Sequence, residues 1–386
     1  MPSPVEHAIK VATGESAGGM VGWRPRAPDV FVASVRMRCL QPLGELQRRG
    51  LRLELFDRAA PQRYSAVLFS KCYDDRALAE VKELRRRGAR ILFDLCDNHF
   101  HVESMTPGLA KRASQLKAML EQVDGLVTST PALADVLKTQ LTQPRPIAVV
   151  DDVVETELPA PWRPLRARLR AVRELKLLKR ELAGERAAGR TPLVWFGVHG
   201  GPYARCGIVD LARIRDVLHD LDRRQPLSLT VISNSRGRYE DVVGGWSIRR
   251  RYVEWHPATF LPALRDHAAA VIPITPSPYT RCKSHNRPAQ VLAAGLAVVA
   301  DSIPSYEVLR PYLRLDDWVA GLEAYLGDPA LRVRDAVAGG AYVRRRYSAE
   351  AVADQWQRVL VGAESLAANS LAPGVLLPRW AGGVTG

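Results

Sequence analysis

Arg281, Lys283 and Arg287 crowd the start of what reads as a short helix in PSPYTRCKSHNRPAQVLAAGLAVVA (residues 276–300), and no acidic residue accompanies them. Ser284 or Asn286 suits the N-cap, and Pro288 falls in the first turn, where its missing N–H costs nothing. Gly295 supplies the stop before a β-branched strand. Cations at this end oppose the helix dipole, each by roughly 0.3–1 kcal/mol. A bound anion reverses that sign: free helix N–H groups, an ammonium and a guanidinium together suit a diphosphate. The bland alternative is a solvated turn carrying surface arginines, since exposed charges interact weakly. Lys283 is the only lysine after Lys179 in an arginine-dominated chain, which points to a place for a compact point charge.

The elements that must position this cluster alternate. Strands are expected at Asp29–Val35, Leu51–Phe56, Ala66–Ser70, Ile91–Leu95 and Gly125–Thr128, with Pro146–Val150 ending the unit and helices between all but the second and third strands. A second alternation begins at Pro192–Val198 and ends in helices reaching Leu360. Strands followed by helices of this length imply parallel, doubly wound α/β sheets, with a ligand cleft at the carboxyl ends of the strands. The expected division is a flexible arm over 1–28, a first domain over 29–157, a connector over 158–190, a second domain over 191–360 and a loose tail over 361–386. In the connector, Arg163, Arg166, Arg168, Arg170, Arg173, Lys176, Lys179 and Arg180 alternate with leucines at helical spacing. This basic amphipathic helix either packs its leucine stripe on a domain or rests on an anionic membrane surface.

The chain has 386 residues, 47% of them hydrophobic, which is ample for two domain cores. Apolar runs such as Val291–Ala300 fall short of a bilayer span, and the first residues lack the apolar core of a signal peptide. Five scattered cysteines without CxxC spacing argue for a reducing cytoplasm and against structural zinc or a disulfide framework. The net charge of +14 favours anionic partners. No nucleic-acid module is recognisable, so no nucleic-acid partner is expected. A GxSxG match, GESAG at 14–18, falls in the expected flexible arm rather than between a strand and a helix, and HExxH and Walker patterns are missing, leaving hydrolase, zinc-protease and P-loop readings unsupported.

The second half resembles the donor domain of GT-B glycosyltransferases, especially the retaining group 1 (family 4) type. The resemblance rests on VWFG followed by Gly200-Gly201, HAAAVIPI (267–274), KSHNRPAQVLAAGLAVVA (283–300) and PSYEVL (304–309). The first half is similar more loosely, through ARILFDLCDN (89–98) and VDGLVTSTPALADVL (123–137). The resemblance implies two Rossmann-like domains around a cleft, and a sugar moved from a nucleotide-diphosphate donor to a cell-surface glycan, lipid-linked or natural-product acceptor. It implies no cofactor beyond the nucleotide sugar, and no metal if cations meet the leaving diphosphate. The donor side would comprise Gly200, Gly201, Arg205, Asn234, Ser235, His256, Lys283, Ser284, Asn286, Arg287 and Gln290, with Trp255 a further candidate near the base. Asp94, Asp97 and His99 end an apolar strand at the cleft, where Asp97 is a candidate base. Arg36 and Arg38 are candidates for an anionic acceptor.

Two departures stand out. Many relatives carry a glutamate pair where this chain has Cys282 and Gln290, and a histidine where it has Cys96. A non-catalytic sugar-nucleotide binder is therefore one rival reading, and a nucleotide-sugar epimerase is another. The expected location is the cytoplasm, with contact at the inner membrane face if the basic helix binds lipid.

Overall fold

The structure, a computed structural model, describes residues 20–158, 165–201 and 203–368. Most of the expected arm, Arg163 and most of the expected tail lie outside the described residues.

In chain order the first half contains β1 (Met20–Pro25), α1 (Gln41–Arg48), β2 (Leu53–Leu55), β3 (Tyr64–Ser70), α2 (Asp75–Arg86) and β4 (Arg90–Leu95). It continues with α3 (Pro107–Gln122), β5 (Gly125–Thr128), α4 (Pro131–Gln140) and β6 (Ile147–Val149). The connecting helix is α5 (Leu165–Ala187). The second half contains β7 (Thr191–Phe196), α6 (Arg215–Arg224), β8 (Leu227–Ser233), α7 (Arg236–Val243), β9 (Arg249–Glu254), α8 (Phe260–Arg265) and β10 (Ala269–Ile272). There follow α9 (Asn286–Ala293), β11 (Ala297–Ala300), β12 (Arg314–Leu315), α10 (Trp318–Gly327), α11 (Pro329–Arg346) and α12 (Ala349–Ala368).

Both sheets have six strands, all pairings parallel, in the orders β2-β1-β3-β4-β5-β6 and β12-β11-β10-β7-β8-β9. Local chemistry sets most boundaries. Asp74, Thr106 and Thr130 each accept a backbone N–H at the start of α2, α3 and α4, and proline opens the last two. Gly295, at φ +87°, ends α9 in the left-handed conformation.

The structure corrects the expected beginning and end. The first strand is MVGWRP, inside the expected arm, whereas DVFVASV forms a turn and a helical lead-in to α1. Gly22 reads as a loop signal but is a packing glycine: a Cβ there would lie 3.0 Å from the rings of Phe56 and Tyr64. Trp23 beside it is fully buried and meets Trp356 edge-on at 4.8 Å. Through that contact α12 belongs to the first domain's core with Leu46, Leu68 and Leu92, not to the second domain. The same helix runs on to Ala368, beyond the expected start of a loose tail. Helix α7 and strand β12 were not foreseen.

In the second sheet the chain leaves β7 in one direction for β8 and β9, then returns to β7's other side with β10. Such a reversal opens a crevice at the carboxyl ends of the strands. The carboxyl ends of the first sheet face it directly: Thr130 donates to the Cys282 carbonyl at 3.0 Å, and Asn98 donates to the Pro278 carbonyl at 3.0 Å. No described helix is long and apolar enough to cross a membrane.

Candidate functional site

The start of α9 lies at this crevice. Its N-cap is His285, not Ser284 or Asn286, and His285 makes no side-chain cap. Ser284 instead donates to Asp152 at 2.5 Å, and the Asn286 amide points to the Met37 sulfur at 3.9 Å. Arg287, in the first turn, donates to the Phe196 carbonyl at 2.5 Å, at the end of β7. Its guanidinium lies over the rings of Trp195 (5.2 Å) and Phe196 (5.5 Å). The Arg287 Nε is buried without a hydrogen-bond partner, and no described carboxylate comes within ion-pair distance of the group. Burial pulls its pKa below the usual arginine value. Asp210 is close enough to be felt by the guanidinium, but its oxygens are occupied by the N–H groups of Gly207 and Thr275 and by the Thr275 hydroxyl. A half-buried cation with no carboxylate in ion-pair distance, at an uncapped helix start, calls for an anion.

The loop after β7 forms the other wall. Gly207 has φ +100°, and a Cβ there would sit 2.6 Å from the Val198 carbonyl oxygen, so only glycine fits. Gly200, at φ +143°, also adopts a conformation that favours glycine, while Gly201 is exposed with open space around it. The loop crosses to the first domain, where Glu103 N–H donates to the Tyr203 carbonyl at 3.1 Å and the Glu103 carboxylate accepts from Arg205 N–H at 2.7 Å. The Arg205 side chain is exposed.

Lys283 does not stand free. It pairs with Asp97 of the first domain at 2.5 Å, and the other Asp97 oxygen pairs with Lys71, also at 2.5 Å. Burial alone would raise the Asp97 carboxyl, but the two ammoniums outweigh it and hold its pKa well below the usual carboxylate range. Asp97 is thus a carboxylate of low basicity, ill suited to the base role expected for it. Both ammonium side chains keep solvent access, at 26% for Lys71 and 36% for Lys283. Lys71 escaped the sequence reading. It sits one residue past β3 at φ +51°, a conformation non-glycine residues adopt rarely and mostly at functional sites.

His99 belongs to an aromatic stack that closes one end of the cleft. Its ring lies flat on Tyr203 at 4.3 Å, Tyr203 stacks on Tyr279 at 5.9 Å, and the His99 Nδ1 meets the Tyr73 hydroxyl at 2.8 Å. Burial pushes the imidazole down to about 3, so it is neutral near pH 7. The unfolded chain takes up this proton from about pH 6.5 downward, whereas the folded ring resists until about 3. Stability is therefore full above pH 6.5 and falls as pH drops, by up to about 1.4 kcal/mol per pH unit from this ring. Denaturant midpoints at about pH 7 and pH 5.5 should differ clearly in the native protein and less in His99→Gln; equal differences would speak against this assignment.

Several expected site residues prove to be structural. Arg38, 1% exposed, pairs with Asp94 at 2.7 Å and Asp152 at 2.8 Å, so neither Arg38 nor Asp94 is presented to a substrate. Arg36, 3% exposed, forms a two-pronged pair with Glu155 at 2.7 and 3.0 Å. Gln290 is buried, accepts from the Glu155 N–H at 3.1 Å and donates to the Glu155 carbonyl at 2.5 Å. Its amide clamps α9 to the segment that leaves the first domain. Cys282 is buried against the Pro278 carbonyl, and burial pushes the Cys96 thiol up to about 12. Asn234 accepts from both the backbone and the ring of His199, and Ser235 caps α7. The His256 Nδ1 accepts from Ala258 N–H. These last three lie at the ends of β8 and β9, on the cleft side of the sheet.

Neither a protein-family model nor a curated protein matches the chain. Solved structures do. A trehalose-6-phosphate protein from E. coli bound with UDP-2-fluoro glucose superposes with TM-score 0.51 at 14% identity, covering 94% of this chain and 97% of that one. An α,α-trehalose 6-phosphate synthase from Burkholderia multivorans gives 0.54 at 14% identity, covering 87% and 82%. A lipopolysaccharide outer-core galactosyltransferase in its apo form gives 0.52 at 10% identity, covering 89% and 99%. Two parallel six-stranded sheets facing each other across a cleft, as in these glycosyltransferases, give the chain the GT-B fold.

Proposed function

We propose that the protein transfers a sugar from a nucleotide-diphosphate donor to an acceptor, with the diphosphate seated between the start of α9 and the loop after β7. The observation that carries this reading is Arg287, a half-buried guanidinium with an unpartnered buried Nε at an uncapped helix start, with no carboxylate among the described residues within ion-pair distance of it. A diphosphate neutralises Arg287 and accepts from the helix N–H groups. As the sugar departs, the charge developing on the diphosphate meets donors already in place, which lowers the barrier. Lys283 joins by exchanging Asp97 for a phosphate oxygen, while Lys71 keeps Asp97 ionised and in position. UDP-2-fluoro glucose in one structural neighbour supports a nucleotide sugar as the donor.

A second reading, a sugar-nucleotide binder without catalysis, has an observation of its own. Cys282 and Gln290, where the resembling family carries its glutamate pair, are here built into packing. UDP-, GDP-, ADP- and dTDP-glucose, each incubated with the protein and assayed for released nucleoside diphosphate and for a melting shift, separate the two. Transfer predicts release from at least one donor, with water taking the sugar where no other acceptor is present, and stabilisation by about 2.7 kcal/mol at a hundred times its dissociation constant. A melting shift without release favours the binder. Neither shift nor release rejects both.

A further inference from the structure

Helix α5 offers a surface that the cleft does not use. Its inner face is anchored: Ala171, Leu178 and Leu182 are buried, and the latter two join the second domain's core with Val194 and Leu264. Its carboxylates lie along the margin of that face. Glu185 accepts from Ser228 at 2.6 Å and pairs with Arg249 and Arg251, Glu181 pairs with Arg251 at 3.2 Å, and Glu174 pairs with Arg170 at 2.9 Å. The opposite face holds no carboxylate. There Leu169 and Leu177 are 58% and 56% exposed and Val172 is 37% exposed. At about 100° per residue these three side chains spread over roughly 140° of the helix. Arg166, Arg173, Lys176 and Arg180 fall inside the same arc, all exposed, and none has an ion-pair partner among the described residues.

The sequence left open whether the leucine stripe packs on a domain or meets a membrane. It divides: the inner leucines dock, and the outer apolar residues stay outside among cations. A solvated connector has no need of two leucines and a valine on its charged face. A lipid surface uses both components, since apolar side chains enter the boundary between headgroups and acyl chains while lysine and arginine reach anionic headgroups. Position fits as well. Helix α5 runs back along β7 after a short turn and, at about 35 Å against about 20 Å for the strand, overhangs it on the cleft side. Arg170 accordingly lies within electrostatic reach of Glu254, at the carboxyl end of β9.

We propose that the outward face of α5 docks on an anionic lipid surface, holding the mouth of the cleft close to the membrane. Charge complementarity selects this occupant, because the arc is uniformly cationic on a chain of net charge +14. Each cation near an anionic surface strengthens binding by roughly fivefold, and salt weakens it.

The test is co-sedimentation of the full chain with phosphatidylcholine vesicles, with and without about one third phosphatidylglycerol, at low and high salt. Three proteins are compared: the native one, Arg173→Gln/Lys176→Gln/Arg180→Gln, and Leu169→Ser/Val172→Ser/Leu177→Ser. All six positions are exposed, so unchanged melting temperatures should verify folding. The expected result is binding to the anionic vesicles only, weakened by salt, cut roughly a hundredfold in the charge variant and at least tenfold in the apolar variant. No binding at low salt overturns the proposal. Binding indifferent to the apolar variant also overturns it, because simple adsorption of a polycation would suffice. Light scattering that shows a native dimer, turned into a monomer by the apolar variant, would assign the face to a second copy and overturn it too.

Discussion

Arg287→Met is expected to weaken nucleoside-diphosphate binding by roughly 10–150-fold, the scale of a lost charge-assisted bond of about 1.5–3 kcal/mol. The free protein should stay within about 1 kcal/mol of native stability. Methionine keeps apolar contact with the Trp195 and Phe196 rings, while the hydrogen bond to the Phe196 carbonyl and the cation–ring attraction are lost. Relief of a half-buried charge without an ion-pair partner offsets part of that loss. If the guanidinium serves only to pin β7, the signs reverse: stability drops and affinity holds. Equilibrium denaturation and nucleotide titration of the same variant separate the two.

Arg38→Met should be the most destabilising single change at the cleft, by about 3–5 kcal/mol. It leaves the Asp94 and Asp152 carboxylates buried without their cation and takes a donor from the Val150 carbonyl. Adding Asp94→Asn should recover part of the loss by removing one stranded charge. An acceptor-binding Arg38, as the sequence suggests, would instead leave stability intact and raise KM alone. Urea midpoints of the single and double variants decide the matter.

The contrast between these arginines shows what the sequence can carry. The anomaly at Arg287 is local: a cation at a helix start, with no acid nearby in the chain, is visible in a few residues. Arg36 and Arg38 look equally like a site, because polar groups at the end of an apolar segment need a partner. That partner is a carboxylate 119 residues on for Arg36, and carboxylates 56 and 114 residues on for Arg38. Pairings over such separations follow from the finished fold and leave no local trace. The counter-ion of Lys283 is equally invisible in the sequence, since Asp97 comes from the other domain. Strands β3, β4, β5 and β8 were legible as apolar runs bounded by caps and turns. Strand β1 was not, because Gly22 and Pro25 mark a loop to any local rule, whereas here Gly22 makes room for two rings. Lys71 carries its signal in a backbone angle that no residue type announces.

The central claim is that an anion completes the Arg287 site. Calorimetric titration of the native protein and Arg287→Met with UDP, GDP, ADP and dTDP tests it most directly. At least one of the four should bind the native protein and lose tenfold or more in affinity, roughly 1.4 kcal/mol, in the variant. Four nucleotides that fail to bind the native protein, or one that binds both proteins equally, would contradict it.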